Sequence, residues 1–226
     1  MKYKAVIFDL DGTLIDSMGV WEEVDKEYLQ RRNIPVPADI FAEISGGNSF
    51  EEICLHFKDK FGLSESIEEI GAEWTEMVGE HYEKQVSLKP QAAKLLDLLQ
   101  AADVKIALGT SNSQILAEKV LLANRVRDKF SAIVAGTDGF RGKPFPDIFL
   151  RAAEKLEVKA EDCLVIEDVL VGVQAAQKAG MDVIAIYDQH AEKDAENLRQ
   201  IADFYAQDFS EIIKFLDLEP RAGNAI

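Results

Sequence analysis

Cysteine is nearly absent from this chain. Cys54 and Cys163 are the only two in 226 residues, too few and too far apart for a disulfide framework or a zinc cluster, so they read as packing residues in a reducing, cytoplasmic setting. Histidine is as scarce: His56, His81 and His190 lack metal-ligand spacing and read as surface or partly buried side chains. Long apolar runs are missing as well. No segment approaches the roughly 18 apolar residues of a membrane span, and the opening run 5–8 is too short for a signal peptide and meets Asp9 at once. Positive charge is in deficit, with 25 Lys and Arg against 41 Asp and Glu and a net charge of −16. Such a surface repels a phosphate backbone, so nucleic acid is not an expected partner, and with no apolar span neither is a membrane. A small anion remains possible where a few lysines or a bound cation make a local positive site.

What is present is a globular composition. With 47% hydrophobic and 29% charged residues, the chain can bury a sizeable core and lies far from disordered sequences. Short apolar runs at 4–10, 105–109, 132–135, 163–166 and 183–186 suit buried parallel strands. Between the later runs stand segments with helical spacing, at 91–101, 114–123, 148–156 and 173–179, the last with Gly180 as its C-terminal stop. Strands alternating with helices predict an α/β fold with a doubly wound parallel sheet. Residues 16–88 break the rhythm: helical patterns at 21–32, 50–61 and 67–83 follow one another with no convincing strand between them. The expectation is an inserted all-helical domain at 16–88, with 1–15 and 89–226 forming the sheet domain. Ser49 and Glu52 have the spacing of a capping box, the stripe Trp21, Val24, Tyr28 and Leu29 reads as core, and the tail from Glu219 is expected to fray.

Four short motifs fall where predicted strands end, which in a parallel sheet is where ligands gather. Asp9-Leu10-Asp11-Gly12-Thr13 places two carboxylates two residues apart. Asp and Gly are ordinary turn residues, but a charge ending an apolar strand is costly unless something positive meets it. Gly109-Thr110-Ser111-Asn112-Ser113 offers hydroxyls and backbone N–H groups at a helix start, as an anion site or as a plain N-cap. Gly142-Lys143-Pro144 carries a lysine that, taken alone, would read as a solvated charge, and it fails as a Walker loop. Leu164-Val165-Ile166-Glu167-Asp168 ends in paired acids. If the sheet gathers Asp9, Asp11, Glu167 and Asp168, protonation or a cation must relieve their repulsion, and hard carboxylate oxygens without His or Cys favour Mg2+.

In order and spacing these elements resemble the four motifs of the haloacid dehalogenase (HAD) superfamily over essentially the whole chain, and the insertion resembles the helical cap of the subgroup that contains phosphoglycolate phosphatase and beta-phosphoglucomutase. The resemblance implies a Rossmann-like core and an aspartyl-phosphate mechanism. Asp9 would be the nucleophile and Asp11 the acid and base. Thr110, Ser111 and Lys143 would hold the phosphate, and Asp9, Glu167, Asp168 and the backbone carbonyl of Asp11 would hold the metal. Val169 departs from the pattern, since relatives commonly carry Ser after the acidic pair. The implied activity is magnesium-dependent hydrolysis of a small phosphorylated metabolite. The alternative is a phosphosugar mutase, whose cap grips a distal phosphate with basic residues; here no Lys or Arg occurs from 33 to 57 or from 61 to 83, and Ser49 stands near the expected Arg. Receiver domains of response regulators share the acidic residues, Thr and Lys, but have no cap, and their paired acids are adjacent. The expected state is a monomer or a weak homo-oligomer.

Overall fold

A computed structural model describes residues 2–37 and 50–218. Six strands form one parallel sheet: β1 (Ala5–Phe8), β2 (Lys105–Thr110), β3 (Ala132–Ala135), β4 (Cys163–Glu167), β5 (Asp182–Ile186) and β6 (Phe204–Ala206), in the order β3-β2-β1-β4-β5-β6. β1 pairs in register with both neighbours, Phe8 opposite Leu108 on one side and Ile166 on the other. The chain winds outward from β1 to β3, then returns across β1 to start β4. The crevice between β1 and β4 is therefore the topological switch point of the sheet.

Alternation along the strands explains why the sheet is covered on both faces. Val6, Phe8, Leu164, Ile166, Ile184 and Ile186 belong to one apolar cluster, and Ala5, Ile7, Cys163, Val165, Val183 and Ala185 to the other. Helices α4 (Ala92–Ala101), α5 (Gln114–Ala123) and α9 (Phe209–Phe215) cover the first face through Leu95, Val120 and Ile212. Helices α6 (Asp147–Leu156), α7 (Leu170–Lys178) and α8 (Ala195–Ile201) cover the second through Phe149, Val173 and Leu198. α7 ends where expected, with Gly180 at a φ of 74° and the Met181 N–H returning to Ala176. Both cysteines are buried and free, as packing residues should be. β6, α8 and α9 go beyond the five strands and seven helices legible in the sequence.

Between β1 and α4 the described chain is helical, with α1 (Met18–Arg31), α2 (Phe50–Phe61) and α3 (Ile67–Lys84). Its centre is aromatic: the fully buried Trp74 meets Phe57 at 4.8 Å, Tyr28 at 5.7 Å and Phe50 at 6.2 Å between ring centroids, all edge to face. A reciprocal capping box, Ser66 with Glu69, starts α3. The chain enters and leaves this helical cap side by side. The Asp16 N–H donates to the Ser87 carbonyl and the Lys89 N–H to the Leu14 carbonyl, with Ile15 bridged to Leu88. The box expected at Ser49, the loop before α2 and the tail from Glu219 lie outside the described residues. Among the described residues, no helix is long and apolar enough to cross a membrane.

Candidate active site

Asp9 follows β1 directly, its N–H held by the Ile166 carbonyl at 3.0 Å, so the backbone ladder that aligns β1 with β4 also fixes the first carboxylate beside the acids of β4. Ligand oxygens of Asp9, Glu167 and Asp168 lie within 4.8 Å of one another, and all three residues are buried. Lys143, also buried, reaches in from the loop before α6 and donates to Asp9 Oδ1 and Glu167 Oε1, both at 2.5 Å. Glu167 Oε2 accepts the backbone N–H groups of Asp168 (2.8 Å) and Val169 (2.9 Å). Because the bond from Val169 comes from its main chain, Val in place of Ser leaves it intact. Thr13 Oγ1 donates to Asp168 Oδ1 at 2.6 Å.

Space at this cluster is so tight that glycine is required beside two of the carboxylates. Gly12 has a φ of 78°, and a Cβ there would lie 2.4 Å from Asp168 Oδ2. A Cβ on Gly172 would lie 1.8 Å from Glu167 Oε1.

The electrostatics follow from counting charges. Three carboxylates against one ammonium leave two negative charges uncompensated in a site removed from water, and each pair of carboxylates repels by roughly 3 kcal/mol at a protein-like effective dielectric. Burial, then Glu167 and Asp11, push the Asp9 carboxyl up to about 8 although Lys143 opposes. Burial, then Glu167 and Asp9, raise Asp168 well above the ordinary range. Burial works against the Lys143 ammonium, yet Asp9 and Glu167 hold it above its usual value. Because Lys143 donates directly to Asp9, whereas Asp168 has the neutral hydroxyl of Thr13, Asp168 takes a proton more readily than Asp9. An all-oxygen donor set with an excess of two negative charges fits a hard divalent cation.

Asp11 is half-buried and faces elsewhere. Its Oδ1 accepts Ser17 Oγ at 2.6 Å, Trp21 Nε1 at 3.1 Å and the Tyr82 hydroxyl, and its Oδ2 accepts Asn112 Nδ2 at 2.8 Å. Thr110 is buried at the end of β2, its Oγ1 accepting the Asn112 N–H at 3.0 Å. Ser111 and Lys143 line one small cleft with Gly136, Phe140, Arg141, Gly142 and Ile148, and the Ser111 carbonyl accepts the Phe50 N–H at the start of α2 at 3.1 Å. The structure thus gathers Asp9, Lys143, Glu167 and Asp168 in one cluster, turns the Asp11 carboxylate toward the cap, and sets Ser111 and Lys143 along a shared cleft. Sequence reasoning left Ser17, Tyr82 and Asn112 unassigned and read Trp21 chiefly as core. Trp21 is half-buried and the other three are buried, and only Asn112, inside the 109–113 run, carried a local signal.

A doubly wound sheet with acids and a lysine at its switch point, capped by helices inserted after the first strand, defines a Rossmann-like hydrolase architecture. The model of the haloacid dehalogenase-like hydrolases matches residues 6–186, and the chain belongs to that family. It is 34% identical over 195 residues to beta-phosphoglucomutase of Bacillus subtilis, covering 81% of this chain and 83% of that protein. It is 32% identical over 211 residues to hexitol phosphatase A of Escherichia coli, covering 89% of each. It is also 34% identical over 182 residues to the bifunctional riboflavin kinase/FMN phosphatase of Arabidopsis thaliana; there the match takes in 80% of this chain but 48%, about half, of the longer relative.

Proposed function

We propose that this chain is a magnesium-dependent phosphatase that hydrolyses a small phosphomonoester, of the sugar phosphate class, through an aspartyl-phosphate on Asp9. The observation that carries the reading is the joining of Asp9, Lys143, Glu167 and Asp168 in one buried cluster, with a second carboxylate, Asp11, two residues further along the chain. The relatives named as a hexitol phosphatase and a phosphoglucomutase support the substrate class.

Asp9, Glu167, Asp168 and the backbone carbonyl of Asp11 would hold the cation, which when bound supplies charge compensation between the anionic nucleophile and the anionic substrate. The protein's own groups do the rest. An Asp9 carboxylate oxygen attacks phosphorus, the bond to the departing oxygen breaks, and that oxygen takes a proton from Asp11. Water then attacks the phosphorus of the aspartyl-phosphate and gives its proton to Asp11, releasing inorganic phosphate and restoring the Asp9 carboxylate. Lys143, Thr110 and the backbone at Ser111 neutralise and orient the phosphate oxygens. Residues 16–88 act as the cap over a core made of 1–15 and 89–226, a division supported by the paired crossings at Ile15 and Leu88.

Hydrolysis is favoured over mutase chemistry by the state of the cap's two arginines. Arg32 is clamped by Glu65 (2.7 Å) and Glu73 (2.6 Å) over the Tyr28 ring, and Arg31 pairs with Glu27 at 2.8 Å, so both are already spent on carboxylates of the cap itself. The test is phosphate release from a panel of phosphorylated sugars, polyols, glycolate and nucleotides, with and without magnesium. Asp9→Asn should retain the circular dichroism of the parent and lose turnover by at least about 1,000-fold, since the nucleophile itself is removed. Turnover that survives in this variant, or that requires a sugar bisphosphate, would reject the assignment.

A further inference from the structure

Two side chains on the cap helices contact Asp11, and they do so through a fixed arrangement of donors. Tyr82 on α3 is fully buried. Its hydroxyl oxygen accepts Trp21 Nε1 at 3.0 Å and Asn112 Nδ2 at 3.1 Å, which leaves its own proton to be donated to Asp11 Oδ1. Trp21 on α1, an obligatory donor, shares its N–H between that hydroxyl and Asp11 Oδ1 (3.1 Å). The two rings meet edge to face at 6.4 Å. Oδ2 of Asp11 is held from the core by Asn112, and Ser17, at the entry to the cap, donates to the same Oδ1 that Tyr82 and Trp21 reach. α3 is itself tied to the core helix α5 by Glu83 with Lys119 at 2.7 Å.

We infer that Tyr82 and Trp21 are positioning residues that fix the Asp11 carboxylate when the cap lies against the core, so that docking of the cap completes the proton-transfer geometry as well as covering the site. The inference rests on the reading of Asp11 as the acid and base. Its physical basis is rotational: a carboxylate two bonds from a turn has free χ angles in water, and donors from two cap helices and from the core leave one orientation. If the cap helices lift, Tyr82 and Trp21 leave together, and Asp11 keeps only the donors from Asn112 and from Ser17, at the crossing before α1.

The experiment compares kcat/KM for two probes in magnesium, p-nitrophenyl phosphate and glycerol phosphate. The aryl leaving group departs with little need of a proton, whereas the alkyl oxygen needs one. Tyr82→Phe keeps the ring and its contact with Trp21 and removes only the hydroxyl. It should lower kcat/KM for glycerol phosphate by about 10- to 100-fold, a part of the roughly 100- to 10,000-fold that general acid–base catalysis contributes, and for p-nitrophenyl phosphate by less than about 3-fold. Trp21→Phe should give the same asymmetry and serves as the second variant if Tyr82→Phe does not fold. Equal losses on both probes would mean a merely structural role and overturn the inference, as would no loss on either. Asp11→Asn, run in parallel, separates the two claims. If it shows no leaving-group asymmetry, the acid assignment itself fails; if it shows the asymmetry and the cap variants do not, the positioning role alone fails.

Discussion

Binding of magnesium to this protein should release protons, and the number can be worked from the site. Without a cation, three buried carboxylates share one ammonium, and the cheapest relief is to hold a proton. Asp9 is pushed to about 8 and Asp168 well above its usual range, so at pH 7 a group at about 8 is roughly nine-tenths protonated and the cluster carries at least one proton. A divalent ion needs the carboxylate forms and must displace it. Calorimetric titration at pH 7 in two buffers of different ionisation enthalpy should therefore give binding enthalpies that differ by about one proton's worth or more. Affinity should rise about tenfold per pH unit between about pH 6 and 8. The sign for stability runs the other way. In the cation-free protein these acids titrate above their unfolded values, so the folded state binds protons that the unfolded state has lost. Its stability is greatest below about pH 4 as far as this cluster is concerned, and it declines as pH rises toward about 8. Magnesium should remove most of that decline. Equal enthalpies in the two buffers, with tight binding at pH 7, would refute the charge count.

Two further outcomes test the packing. Gly172→Ala puts a methyl where Glu167 Oε1 stands, 1.8 Å from the built Cβ; because that carboxylate is pinned by Lys143 and two backbone N–H groups, the variant should lose about 1–3 kcal/mol of stability and about 10- to 100-fold in magnesium affinity, and wild-type affinity would refute it. Asp25, in α1, is 4% exposed and, among the described residues, finds no hydrogen-bond partner for Oδ1; burial, then Glu22, push it up to about 8, so Asp25→Asn should gain stability relative to the parent as pH rises from about 4 to 8, by up to about 4 kcal/mol at pH 7, and a gain independent of pH in urea unfolding would count against the buried charge.

The parts of the site carried by contiguous motifs were readable before any coordinates. Asp9, Thr110 and the Glu167-Asp168 pair each stand at the carboxyl end of a short apolar run, and a parallel sheet brings such ends together. Lys143 was weaker evidence, because a lysine beside glycine is ordinarily solvated; its burial depends on β1 and β4 lying side by side, which no local pattern states. Tyr82 was not readable at all. It sits 71 residues from Asp11 on a helix whose apolar spacing is fully explained by the cap core, and its hydroxyl matters only because α3 folds back over the turn after β1. β6 is three residues long, with Phe204 and Tyr205 half-buried at the sheet edge, and α8 and α9 have seven residues each, so none spans enough periods to stand out.

The turn after β1 shows why an inserted cap changes the chemistry of the sheet beneath it. Asp9 and Asp11 are separated by one buried leucine, yet their surroundings differ in kind. Asp9 stands among acids and an ammonium at the switch point, an environment for a cation and an attacking oxygen. Asp11 stands among neutral donors, two of them on the cap helices. Two carboxylates so close in sequence can take different roles only if their environments separate them, and here two of the four side chains that donate to Asp11 stand on cap helices. A receiver-like core without the insertion would keep the acids and the lysine but lose Trp21 and Tyr82, and with them two of the donors that hold Asp11. On the proposed mechanism, turnover, as distinct from mere phosphorylation of Asp9, would then be a joint property of the core and the cap.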